Sequence, residues 1–497
     1  MKNNRTSQSA SFTFCILLGL FIFFAGIVLA LFAATDPHSF TRDVTRNGVV
    51  QVSRADRGPV TSSGAVQEAW VARYNGPTNE YDEGQAIAVD DSGNVYVTGY
   101  SSGDCLTIKY DASGQEQWVA RYNGGSARAI AVDSSGNVYV TGQSVLSGGS
   151  LDYATIKYDS AGQQQWVARY NGPASDNDSA SSIVVDSSGN VYVTGESLGL
   201  GTGLDYATIK YNSAGQQQWV ARYNGPANGD DYAGYAGAIV LDGSGNVYVT
   251  GGSAGSGTSD DYATIKYNSA GRQQWVARYN GPGNRGDHAN AIAIDPAGNI
   301  CVTGFSTNSN GNVACATVKY DSGGGRQEWV AQYSGSNILD YGDAIAVDSA
   351  HNIYVVGTSF ASVTSGDYVV IKYNSAGQEQ WVARYDAGLS EYATAIAVDT
   401  LGNIYVTGTS SSTGTNSDYA TVKYNSFGQE QWAARYDGPG HDFDRANAIA
   451  IDGSGNVYVT GRSYGSGTGL SDCATIKYVQ PTPRVTPRPR PSPAPRP

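Results

Sequence analysis

Residues 86–99 read AIAVDDSGNVYVTG, and variants of this string occur eight times, about fifty residues apart. The other copies begin at Ala129, Ser182, Ala238, Ala291, Ala344, Ala395 and Ala448. A fixed period of this size belongs to one supersecondary unit stacked or closed on itself. Inside the string, AIAV alternates small and large residues at period two, which marks a strand whose faces meet different surfaces. Large against small lets neighbouring sheets interdigitate. The Asp-x-x-Gly-Asn centre is a tight turn, because Asp bonds the backbone two residues on and Gly takes positive φ. One copy carries His351 at the Gly position, and His tolerates that conformation better than most residues, so a turn role accounts for it. NVYVTG follows as a second strand, and the string is a β-hairpin.

Each hairpin leads through a Ser/Gly-rich loop to a third strand, such as DYATIKY at 261–267, and a fourth, QQWVARY at 273–279. Four short antiparallel strands in about fifty residues make one propeller blade and leave no room for helices. The Trp strand also occurs eight times, from Trp70 to Trp432, but the first copy precedes the first hairpin and none follows Tyr478. The expected fold is therefore all-β: an eight-bladed β-propeller of four-stranded antiparallel blades, with the last blade closed by the N-terminal Trp70 strand. Mixing both ends in one blade removes exposed edges.

The 497 residues include 63 Gly, 35 Tyr and one Met, and the net charge is −13. An acidic chain keeps a large protein soluble and excludes nucleic acid, whose phosphates need a basic face. Residues 1–34, with Lys2, Arg5 and an apolar run from Ser11 to Ala34, read as a signal peptide or signal anchor. Residues 35–66 are a polar linker, 67–478 the propeller, and 479–497 a disordered Pro/Arg-rich tail that favours polyproline II. The expected location is extracytoplasmic, with membrane contact only through the N-terminal segment. Cys105, Cys315 and Cys473 share one aligned position, so no disulfide pairing is expected, and no CxxC or Cys/His metal spacing occurs.

The segment Asn79–Gly99, NEYDEGQAIAVDDSGNVYVTG, resembles the bacterial SBBP β-propeller repeat, a relative of the NHL repeat, and the likeness extends over 70–478. That resemblance implies export without an assigned reaction, and a seven-bladed ring where eight are counted here. Gly162 to Trp166 and Gly377 to Trp381 also show the glycine-to-tryptophan spacing of quinoprotein propellers and of the propeller lipoprotein of outer-membrane assembly. In those families the Trp docks between blades. A quinone site would bring adjacent cysteines, which this chain lacks, so no cofactor is expected.

Eight positions before the turn Asp, six copies carry an acid: Asp82, Asp178, Asp287, Asp340, Glu391 and Asp444. Near one channel mouth they could attract cations or polar sugars, but a cap on each loop's own amides accounts for them more simply. Acids one per blade stand too far apart to share a metal, so no metal site is expected. A second repeated acid, such as Asp261, should fold beside a fourth-strand Arg, such as Arg278. The loops around His288 and around His441 break the repeat, and both histidines read as solvated loop residues three blades apart. No catalytic set emerges. The expected function is a monomeric, non-enzymatic binding or scaffold protein for an extracellular protein or glycan. The alternative is a propeller lyase or hydrolase acting on an extracellular polymer through the irregular loops.

Overall fold

The computed structural model describes residues 66–480 apart from 146–148, 234–237, 336–338, 363–364, 413–414 and 466–469; the apolar N-terminal run and the tail from 481 lie outside the described residues. The described residues form strands and turns without a helix, arranged as eight four-stranded antiparallel blades. Blade one comprises Asp82–Val89, Val95–Ser101, Asp104–Tyr110 and Glu116–Tyr122. Blade four departs from this plan, because its first strand is split into Asp231–Tyr232 and Ala238–Leu241. A single parallel bridge, Val313 with Leu339, links blades five and six.

Blade eight takes Arg445–Ile451, Val457–Tyr464 and Ser471–Val479 from the C-terminal end and Gln67–Tyr74 from the N-terminal end. Trp70 pairs with Lys477 and Tyr74 with Cys473, so the ring closes as the strand count requires. First strands of neighbouring blades touch one another, which makes them the innermost layer around the central channel.

Each blade junction has its own apolar core, and all eight are built alike. At the junction of blades eight and one, Ile87, Val95, Val97 and Ile108 face Ala448, Ala450 and Tyr458, with Trp70 alongside. Large aliphatic side chains thus meet a face of Ala and Tyr, which is the interdigitation expected from AIAV.

The repeated turn is a closed hydrogen-bond unit. Asp90 Oδ1 accepts the amides of Ser92 and Asn94, both at 2.9 Å, while Oδ2 accepts Asn94 Nδ2 at 2.8 Å and Tyr96 Oη at 2.9 Å. Burial opposes the charge of Asp90, but these donors outweigh it and hold the carboxyl below its usual range. Lys109 lies over the Tyr96 ring at 5.2 Å, a cation–π contact that recurs around the ring. Blade five replaces the Tyr by Cys301, and there Lys319 pairs with the buried Asp295 at 2.9 Å. His351 takes the turn conformation with φ of 63°.

The tryptophans dock between blades. Trp118 of blade one packs on Gly162 of blade two, where a Cβ would come within 2.6 Å of the indole, and its Nε1 donates to Ser160 O at 3.2 Å. In blade eight the chain supplies no third-to-fourth-strand turn, and Gln480 stands in, accepting from Trp432 Nε1 at 3.3 Å. The four repeat cysteines are buried and unpaired.

Candidate functional site

The repeat divides the two faces of the ring. The face carrying the Asp-x-x-Gly-Asn turns is nearly the same in every blade, whereas the opposite face carries the variable loops before the first strand and between strands two and three.

On that variable face, the six aligned acids stand at or next to the start of first strands and are buried. Asp82 Oδ2 accepts the Gly76 amide at 2.6 Å, and Asp287 and Asp340 accept Gly281 and Gly335 at 2.5 and 3.0 Å. Asp178 and Asp444 do the same with Gly172 and Gly438, both at 2.5 Å. Each acid therefore folds back its own loop. Burial pushes the carboxyls of Asp82, Asp178, Asp287 and Asp444 up, against those amide bonds. A seventh member, Asp231, accepts the Gly225 amide at 2.5 Å. The sequence alignment missed it because blade four carries three extra residues between this acid and its turn Asp, 231 to 242 against 82 to 90.

The second acid row is ion-paired in six blades; in blade two Asp152 makes no ion pair with Arg169, whose guanidinium bonds Tyr122 Oη and Ser144 Oγ instead. Asp261 meets Arg278 at 2.9 Å, and the same Arg bonds Ser253 Oγ at 2.6 Å and Tyr223 Oη of the preceding blade at 3.0 Å. Blade five lacks both charges, with Ala314 and Gln332 in their places. Gln332 keeps the bond to Tyr279 Oη at 2.8 Å.

Acid rows of adjacent blades meet at the junctions. Asp367 of blade six, Asp386 of the following loop and Glu391 of blade seven each place one oxygen within 4.8 Å of the others, and so do Asp418, Asp437 and Asp444 at the next junction. Ring-mates are far apart, but the neighbours that matter come from a different strand of the adjacent blade.

His288 departs from the solvated-loop reading, whereas His441 keeps to it. His288 belongs to the first strand of blade five, Asp287–Ile294, and is 7 % exposed. Burial pushes its imidazole down to about 4, and its Nδ1 faces Asn290 Oδ1 at 3.3 Å. His441 is exposed on the loop before blade eight, where its Nδ1 meets Asp437 Oδ2 at 2.6 Å, a contact that raises its pKa. Blades six and seven lie between them.

The residue after each capping acid was not singled out by sequence, His288 and Arg445 of the two irregular loops excepted. Around the ring it is Glu83, Ser179, Tyr232, His288, Tyr341, Tyr392 and Arg445, and blade two, which has Gly125 in place of the acid, carries Ser126 there. A bulge in the first strand follows it in seven of the blades, as between Gly84 and Ala86. In blades five, seven and eight the bulge residue donates to the next blade: Asn290 to Gly342 O, Thr394 to Ala446 O and Asn447 to Gly84 O, each at 2.9 Å. The mouth is consequently of two kinds. Blades four to seven carry a continuous aromatic arc, from Tyr232 through His288, Phe305, Tyr341 and Phe360 to Tyr392, with successive centroids 5.5–6.4 Å apart. Blades eight to three carry charge instead, with Arg445 opposite Arg462, and Asn447 Nδ2 donating to Glu83 Oε1 at 2.7 Å. The signal in the sequence was variability at one fixed register position.

The SBBP beta-propeller repeat matches residues 69–104, 117–144, 165–201, 328–360, 380–414 and 440–467. The chain is a propeller of SBBP repeats. Five of the six matched segments run from the Trp strand of one blade into the next, so the SBBP sequence unit straddles two blades of the structure. This SBBP propeller closes with eight blades rather than the seven the resemblance implied. No curated protein matches the sequence. Among solved structures, the C-terminal WD40 domain of Sif2 aligns with a TM-score of 0.50 at 9% identity, covering 84% of this chain and 99% of that one. The Dos1 propeller gives 0.51 at 8% identity, over 83% and 95%. An ulvan lyase gives 0.40 at 11% identity, over 70% and 90%. The first two likenesses show the fold alone, and the third is too low to bear on activity.

Proposed function

We propose that this SBBP propeller is an exported, monomeric, non-enzymatic binding protein that holds a glycan across the variable-face mouth. The observation that carries this reading is the aromatic arc over blades four to seven. Tyr232, Phe305, Tyr341 and Tyr392 are only partly buried, and flat rings at a channel mouth offer the apolar faces on which sugar rings stack. The charged half of the same mouth supplies hydrogen-bond donors and acceptors for hydroxyls or acidic groups. The apolar run of residues 11–34, outside the described residues, supports export. Among the described residues no helix is long and apolar enough to cross a membrane.

A lyase or hydrolase working through His288 and His441 would need both at one substrate bond. One is buried among rings and the other exposed three blades away, which favours binding over catalysis. The test is a polysaccharide array probed with the full-length protein and with Tyr341→Ala and Tyr392→Ala. Retention of a glycan by the wild type and its loss in both variants, with unchanged melting, is the expected result. Equal retention by the variants, or retention of no glycan, overturns the reading.

A further inference from the structure

The acid cluster between blades six and seven differs from every other junction in the ring. Elsewhere the residue after the fourth-strand Tyr is Asn75, Asn123, Asn171, Asn224, Asn280, Ser334 or Asp437. Three of those asparagines close their loops side chain to side chain, as Asn280 does with Asn284 at 2.7 Å. Asp437 makes the equivalent contact with His441. Asp386 has no such partner, because its loop is two residues shorter, 386 to 391 against 437 to 444.

The protein supplies few donors to the three carboxylates, the Ala387 amide beside Glu391 among them. Arg384 donates to Asp367 Oδ2 at 3.1 Å, the Gly388 amide to Asp386 Oδ1 at 2.7 Å, and Ser410 Oγ to Glu391 Oε1 at 3.1 Å. Glu391 is 0 % exposed, and its Oε2 is buried without a hydrogen-bond partner. A buried carboxylate oxygen left unpaired costs free energy unless something compensates it. One Arg faces three acids here, so the site is short of positive charge.

We propose that Asp367, Asp386 and Glu391 bind a calcium ion at the junction of blades six and seven. Ligand oxygens about 2.3–2.6 Å from one ion stand no more than about twice that distance apart, which is the 4.8 Å limit these oxygens satisfy. Carboxylate-only ligation selects a hard cation, and calcium accepts the irregular ligand geometry that carboxylates from two strands and a loop provide, where magnesium demands a near-ideal octahedron. The ion would tie the third strand of blade six to the first strand of blade seven beside the aromatic arc. At the next junction Asp444 already uses both oxygens, on the Gly438 and Tyr464 amides, and His441 offsets Asp437. That site serves as an internal control.

Calorimetric titration of calcium into EDTA-treated full-length protein tests the proposal, with melting followed in parallel. One ion bound per chain and a raised melting temperature are expected. Asp386→Asn restores the residue that five other junctions carry, so it should fold, and it should weaken calcium binding by about 10- to 100-fold or more. Glu391→Gln should do the same, and Asp437→Asn should leave binding unchanged. No uptake by the wild type, uptake that survives Asp386→Asn, or loss in Asp437→Asn would each overturn it.

Discussion

Arg73 Nη2 lies 2.8 Å from Asp472 Oδ2, joining residues 399 positions apart in the chain. The same guanidinium donates to Ser463 Oγ at 2.6 Å and to Tyr436 Oη of blade seven at 2.8 Å. One N-terminal side chain therefore binds two C-terminal strands and the neighbouring blade. The ion pair is half-buried, so it is worth more than a surface pair but must be satisfied on both sides.

Arg73→Gln alone should lower stability by roughly 1–3 kcal/mol, because it leaves Asp472 without its charged partner. Asp472→Ala alone should cost a similar amount. The double variant should cost less than the sum, since blade five already lives with Gln332 and Ala314. A double-mutant cycle by denaturant unfolding reads the coupling. Strict additivity would mean that the pair contributes nothing to closure.

Gly162→Ala should destabilise by about 1–3 kcal/mol, since φ is +80° there and the new methyl would press on Trp118. The loss should appear in the melting temperature of the whole ring. A neutral effect would show that the Trp docking is loose.

Asp343 is 7 % exposed at a bulge position, where Asn290 and Asn447 donate to the next blade. Burial pushes its carboxyl up to about 7, opposed by Thr358 and by Arg445. Against an ordinary value of about 4, the folded state keeps a proton that the unfolded chain gives up between these pH values. Stability attributable to Asp343 therefore falls as pH rises from about 4 to 7 and is flat above. Asp343→Asn should remove that slope and gain at most about 4 kcal/mol above pH 7. Unfolding curves at several pH values decide this, and an identical slope in both proteins refutes it.

The turn acids work in the other direction. Hydrogen bonds hold Asp90, Asp133 and Asp242 below the usual carboxyl range, against the pull of burial. Their contribution is present above the unfolded pKa and is lost as pH falls through the folded one. Asp133→Asn, which sets amide donors against the donors of Asn137 and Tyr139, should cost about 1–3 kcal/mol at neutral pH. Its stability should also depend less on pH in the acid limb, which acid titration of melting temperature measures.

How much was legible follows the range of the interactions. Strands, turns and the count of eight rest on period-two alternation and on bonds such as Asp90 to Asn94, which span a few residues. Ring closure was readable as well, because a surplus Trp strand at one end and a missing one at the other leave a single pairing. The Asp261–Arg278 pair needed only the folding of one hairpin.

The mouth was decided by tertiary structure. Asp231 escaped alignment because three extra residues displaced it. His288 was read as a solvated loop residue, but strand pairing to Phe305 begins earlier than the repeat string and carries it into the interior. The aromatic arc and the cluster of Asp367, Asp386 and Glu391 join residues from different blades, tens of residues apart. Local pattern specifies each blade because its turn and strand contacts are internal. Which side chains meet between blades depends on how the closed ring sets one blade against the next, and no short-range pattern in the chain records that geometry.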